Sequence, residues 1–136
     1  MKYVDTNIFI RALIADDPEK SRACSRLLHR VDRGQEDITT CESVVSEVAF
    51  VLSSPANYRL AHEEVRARFA PYLRMRGLRL PGRSTYLEAL DLFAQYPHLD
   101  FEDALCVAHM HHAGITEILS YDRDFDRIEG VTRIEP

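Results

Sequence analysis

Short apolar runs alternate with longer stretches in which apolar residues recur at helical spacing, along the whole chain. Lys2-Tyr3-Val4 reads as a strand that runs into Asp5, and a short helix follows from Asn7 to about Ala15. Asp17 caps a second helix, with Pro18 at its first position and Glu19 in its first turn. Ala23, Cys24, Leu27, Leu28 and Val31 share its apolar face, and Gly34 stops it. Asp37–Thr40 is the second strand, followed by a helix from about Glu42 to Ser53 that ends before Pro55. Another helix spans about Leu60 to Met75, kinked near Pro71 and ended by Gly77. A short strand at Leu78–Leu80 precedes helices at Arg83–Tyr96, stopped by Pro97, and Asp100–Ala113, stopped by Gly114. Glu117–Tyr121 and Val131–Ile134 complete the set as strands.

This alternation predicts parallel strands joined by right-handed helical crossovers. The expected fold class is α/β: a three-layer α/β/α sandwich around a central parallel sheet, in one domain over residues 1–136. The helical segment between the second and third strands is long enough to project as a hairpin.

Two of the strands close on an acid. Lys2-Tyr3-Val4 ends at Asp5, and Glu117-Ile118-Leu119-Ser120-Tyr121 ends at Asp122. In a parallel α/β sheet the carboxyl ends of the strands open on one crevice. Two further acids sit on helices that border it. Glu47 interrupts the apolar run from Val44 to Phe50, where an unpaired buried charge is costly, so it lies either on a narrow exposed stripe or in a polar pocket, and the apolar neighbours on all sides favour the pocket. Asp103 lies in the first turn of a helix that is apolar all round from Ala104 to Ala108. Each acid alone has an ordinary explanation: Asp5 as a helix cap, Asp122 as a turn residue, and Asp100, Glu102 and Asp103 as partners of a helix dipole. Asp124 reads as a cap for the short segment after it. Four carboxylates converging on one crevice repel one another unless a cation lies between them. Mg²⁺ or Mn²⁺, held by oxygen ligands and water, is the simplest such cation, and it points to chemistry on phosphate esters.

Composition narrows the classes. With 136 residues, folding buries roughly two-thirds of the chain surface, enough for a core without staples. Hydrophobic residues make up 46% and charged residues 29%, ordinary values for a globular protein. Cys24, Cys41 and Cys106 are scattered and odd in number, which argues against a disulfide framework and for a reducing, cytoplasmic setting. No secretory leader is visible, and the longest apolar stretch, Val44 to Leu52, is too short for a membrane span. The net charge of −5 argues against non-specific nucleic-acid binding. Yet all but two of the 17 basic residues are arginine, the better fork for phosphate. Arg22, Arg26, Arg30 and Arg33 line one helix and Arg74, Arg76, Arg79 and Arg83 surround a turn; both read first as solvated faces.

Val4-Asp5-Thr6-Asn7, Ser46-Glu47-Val48, Phe101-Glu102-Asp103-Ala104-Leu105 and Ser120-Tyr121-Asp122-Arg123-Asp124-Phe125 resemble the motifs of PIN-domain nucleases. The similarity is greatest to the VapC-type toxins of toxin–antitoxin pairs, and it covers nearly the whole chain. The four acids follow in the family's order, at separations of 42, 56 and 19 residues. The resemblance implies a Mg²⁺- or Mn²⁺-dependent endoribonuclease. Asp5, Glu47, Asp103 and Asp122 would form its acidic metal site, with Asp5 and Asp103 the most direct ligands. Thr6, Asn7 and Ser120 would supply secondary contacts, and Asp124 would be a weaker ligand. It also implies an RNA substrate, a homodimer and silencing by a small VapB-type antitoxin that often inserts a basic or aromatic side chain near the acids. Ser120 stands where the family's last motif usually has threonine and keeps the hydroxyl.

Other chemistries find less support. His109, His111 and His112 lack the HExxH spacing of zinc hydrolases and read as helix-end residues. Five dispersed glycines make no phosphate-binding loop. Cys106 and most aromatic residues fall at helical spacing and read as core. Two alternatives remain at this point. One is a non-catalytic protein-binding module on the same fold. The other is an aspartyl-phosphate phosphatase of the haloacid dehalogenase type, which needs an acid where this chain has Asn7.

Overall fold

The computed structural model describes all residues, Met1–Pro136. Three parallel strands form its central sheet, in the order β1 (Lys2–Tyr3), β2 (Ile38–Thr39) and β3 (Leu78–Arg79). Between them run α1 (Thr6–Leu13), α2 (Pro18–Asp32), α3 (Glu42–Ser53) and α4 (His62–Leu73); α5 (Arg83–Gln95) and α6 (Phe101–Ala113) follow. The parallel α/β sandwich expected from the alternation is thus present. The strands β4 (Glu117–Leu119) and β5 (Thr132–Ile134) pair parallel with each other, joined by a 3-10 helix at Arg123–Arg127. They form a separate two-stranded sheet, where one continuous sheet was expected.

The facing edges of the two sheets stay unpaired. Lys2 and Val4 donate their N–H groups to Asp37 and Thr39 on β2, which turns the N–H and C=O of Tyr3 away from it. On β4, Ser120 donates to Ile134, and Glu117 and Leu119 face the opposite way. Both outward edges are without a strand partner, and both carry exposed apolar side chains: Tyr3 is 62% and Leu119 72% exposed. No helix is long and apolar enough to cross a membrane.

One hydrophobic cluster unites the elements. α1 packs on α2 and α3, while α3, α4, α5 and α6 form a ring closed by the α3–α6 contact. Phe9 meets Phe69 edge-on at 5.8 Å, and Phe93 meets Phe101 edge-on at 5.7 Å, the geometry that aromatic quadrupoles favour. Fully buried aromatics of this kind each stabilise the fold by roughly 3–5 kcal/mol against truncation. Phe125 and Ile128 anchor the C-terminal unit to the same cluster.

Helix ends follow the sequence signals. Asp17 accepts from the Lys20 N–H with Pro18 at the first helical position, and Gly114 ends α6 at φ 69°, where a side chain would be strained. Pro71 sits inside α4, two residues before its end. Gly77 does not end that helix, as its position suggested. Its role is close approach: a Cβ there would lie 2.2 Å from the Glu36 carbonyl and 2.7 Å from that of Val31.

Candidate active site

The first acid pair is built by the β1–α1 turn and α3. Asp5 follows β1 and caps α1, accepting from the Thr6 N–H at 2.8 Å. Thr6 is buried, and its hydroxyl donates to Glu47 Oε2 at 3.0 Å. Thr6 therefore ties the Asp5 turn to α3 and fixes the direction of Glu47. Glu47 is exposed along a polar stripe of α3 that also carries Glu42, Ser43 and Ser46, and its neighbours Val44, Val45, Val48 and Ala49 take the buried face.

The second group gathers at the start of α6 and the end of β4. Asp100 caps α6, accepting from the Asp103 N–H at 2.8 Å. Asp103 is half-buried on the first turn. Burial, and then the charges of Asp100, Asp122 and Asp124, push its carboxyl up to about 6 from the ordinary 3.8. Asp122 receives no help from the core. Its N–H donates to the Ser120 hydroxyl at 3.0 Å, and its carboxylate caps the 3-10 helix by accepting from the Asp124 N–H at 2.9 Å. The cap of that segment is therefore Asp122, not Asp124. The Asp124 carbonyl lies 3.0 Å from His98 Nε2, and Arg133 donates to the Ser120 carbonyl at 3.0 Å.

The structure thus joins Asp5, Thr6 and Glu47 by hydrogen bonds, and couples Asp103 to Asp122 and Asp124 by charge. Asn7 is exposed at the second residue of α1. The donors offered are carboxylate, hydroxyl and amide oxygens, the set a hard divalent cation takes. Their spacing is wider than one coordination sphere, for no three His, Cys, Asp or Glu side chains stand close enough to share an ion.

Beside these acids runs a groove of about 500 Å³ between α3 and α6, lined by Glu42, Glu47, Phe50, Glu102, Cys106 and His109 among others. Cys106 is exposed there, not in the core as its apolar neighbours suggested. His109 Nε2 lies 2.7 Å from Glu42 Oε1 across the groove, a partner no helix-end reading supplies. Phe50 is 63% exposed and is the largest departure from the expectation that phenylalanines are core. Its signal was present: Glu42, Ser46 and Phe50 are spaced four apart, which puts Phe50 on the polar stripe with Glu47. Asp100, dismissed as a dipole partner, is the other residue the sequence undervalued.

Fold and acids together describe a carboxylate-rich face on a parallel α/β sheet. The family model of the PIN domain matches residues 2–131, and the chain belongs to the PIN-domain family. Among its relatives are VapC ribonuclease Mb1869c of Mycobacterium bovis and ribonuclease VapC13 of Mycobacterium tuberculosis. Each is 31% identical over 135 residues, covering 98% of this chain and 99% of the relative.

Proposed function

We propose that this chain is a metal-dependent endoribonuclease, the toxin of a VapBC-type pair, hydrolysing RNA phosphodiester bonds at Asp5, Glu47, Asp103 and Asp122. The observation that supports it most is full-length similarity to VapC ribonucleases in a chain that keeps all four acids on the expected elements. Asp5 and Asp103 are the direct ligands of Mg²⁺ or Mn²⁺, with Glu47 and Asp122 completing the set and Thr6, Asn7, Ser120 and Asp124 in support. When bound, the cation activates water and neutralises charge growing on the phosphate.

The chain's own residues do the positioning. Thr6 holds Glu47 toward the Asp5 turn through its 3.0 Å hydrogen bond. Asp100 holds the first turn of α6, and so Asp103, through its cap. After burial, the charges of Asp100, Asp122 and Asp124 raise the affinity of Asp103 for a proton, and that repulsion also favours a cation. Flanking phosphates fall to arginines, since the net-acidic site itself repels them. A cytoplasmic homodimer held silent by a small VapB-type antitoxin completes the reading.

The test is RNA cleavage with Mg²⁺ or Mn²⁺. Activity is expected to vanish with EDTA and in Asp5→Asn and Asp103→Asn. Cleavage without metal, or full activity in both variants, would sink the proposal. Calorimetry separates it from a non-catalytic module, which would take up no divalent ion.

A further inference from the structure

A second cavity, of about 460 Å³, opens next to the α3–α6 groove, between the end of α3 and the turn that enters α6. It shares Ser46, Phe50 and Glu102 with that groove, so Phe50 stands between it and Glu47. Asp100, on its wall, is the cap of the helix that carries Asp103. An RNA strand with a phosphate at Glu47 therefore has this opening beside it for a neighbouring nucleotide.

The groups on the wall show what it can receive. His62 stacks on Phe93 with ring centres 3.6 Å apart and spends Nε2 on the Leu99 carbonyl at 2.7 Å. His98 spends Nε2 on Asp124. The Ser53 hydroxyl donates to Ala49, and that of Ser54 accepts from the Ala56 N–H. Among the groups left open are the face of Phe50, the Ser46 hydroxyl, the second oxygen of Asp100 and the whole Glu102 carboxylate, which has no hydrogen bond or ion pair. No lysine or arginine lines the cavity. A phosphate is repelled there. A flat ring that brings N–H donors on one edge is welcomed.

We infer that this cavity is a nucleobase subsite, with Phe50 as the stacking platform and Glu102 as the acceptor that selects guanine beside the cut. The inference rests on the ribonuclease reading above. Single-stranded RNA is commonly read by stacking bases on aromatic side chains and hydrogen-bonding their Watson–Crick edges. Guanine alone among the four bases places two adjacent donors, N1–H and the N2 amine, where both oxygens of one carboxylate can accept them. Adenine and cytosine each offer one amine beside an acceptor, which a carboxylate repels. Phe50 and Glu102 are thus specificity-determining residues, not catalytic ones.

The chain has no tryptophan, so Phe50→Trp places a single reporter at an exposed position. Its fluorescence is titrated in EDTA with GMP, IMP, AMP, CMP and, separately, arginine amide. GMP is expected to quench at concentrations about tenfold lower than IMP, which lacks the N2 amine, and Glu102→Gln is expected to erase that difference. In the unaltered enzyme, inosine in place of guanosine at a mapped cut site is expected to slow cleavage there by about tenfold. Equal quenching by all nucleotides, or cleavage indifferent to inosine, overturns the guanine subsite while leaving the ribonuclease reading intact. Tighter quenching by arginine amide than by GMP also overturns it, and assigns the cavity to a basic side chain of a protein partner. Absence of any RNA cleavage would instead remove the ribonuclease reading.

Discussion

In the three-stranded half of the molecule, Val4 and Ile38 are buried and the Thr40 hydroxyl donates to the Val4 carbonyl at 2.8 Å inside the core. In the β4–β5 unit, Glu117 and Leu119 are exposed, and the ties are local turns, the largely covered Arg133 and two buried anchors, Phe125 and Ile128. Each half contributes one strand-end acid. Both acids cap the helix that follows, Asp5 on the Thr6 N–H and Asp122 on the Asp124 N–H, but Asp5 stands between buried Val4 and Thr6 whereas Asp122 stands between exposed Tyr121 and Arg123. A site built this way has one rigid wall and one wall whose position costs little to adjust.

The largest effect should come from the core itself. Phe9→Ala is expected to destabilise the whole fold by about 4 kcal/mol. Phe125→Ala is expected to cost about 2 kcal/mol less and to raise hydrogen exchange in β4 and β5 while β1–β3 stay protected. Urea titration with exchange measurements checks both, and equal, global losses would break the contrast.

Gly77→Ala comes next, at about 3 kcal/mol, because a methyl group would meet two backbone carbonyls that cannot swing aside. Gly130→Ala, between the 3-10 helix and β5, meets nothing within 4 Å and is expected to cost only about 1 kcal/mol from its positive φ. Thermal melts of the pair give the comparison, and a larger loss at Gly130 would reverse it.

The acids test the same idea through rate. Lengthening the rigid acid, Asp5→Glu, is expected to lower RNA cleavage about a hundredfold, as misplacement by an ångström does. Asp122→Glu, on the adjustable wall, is expected to lose no more than about tenfold. Equal losses would mean that both walls are fixed.

The smallest effect is a gain. The folded metal-free protein holds a proton on Asp103 up to about pH 6, whereas the unfolded chain releases it near 3.8. Stability from this group is therefore lost as pH rises from 3.8 to about 6 and stays lost above. Asp103→Asn is expected to stabilise the metal-free protein at pH 7 by about 1 kcal/mol or less, after allowing for solvent screening, and to leave it unchanged at pH 3.5. Melting curves in EDTA at the two pH values show whether the gain is confined to the higher one.

Much of this was legible from the chain. Asp17-Pro18, Pro97 and Gly114 punctuate helices by local chemistry, and local chemistry is what a sequence displays. The parallel β1–β2–β3 pairing followed from alternation. The break between β1 and β4 was not legible, because pairing between strands so far apart in the chain is a tertiary contact that local pattern does not display. Phe50 was misread because composition favours burial of phenylalanine, although its spacing from Glu42 and Ser46 placed it on the polar face. Gly77 was misread because a helix stop and a close crossing look alike in one letter.

The order of the acids along the chain has a consequence in time. Asp5 is made first and Asp122 is made 117 residues later, which at cellular synthesis rates takes roughly ten seconds. The three-stranded sheet has all its strands once residue 79 has emerged. Through the rest of that interval α5, α6 and the β4–β5 unit, which carry Asp103 and Asp122, are still to be added. A ribosome translating this message therefore carries an incomplete set of the four acids until the turn after β4 has been made.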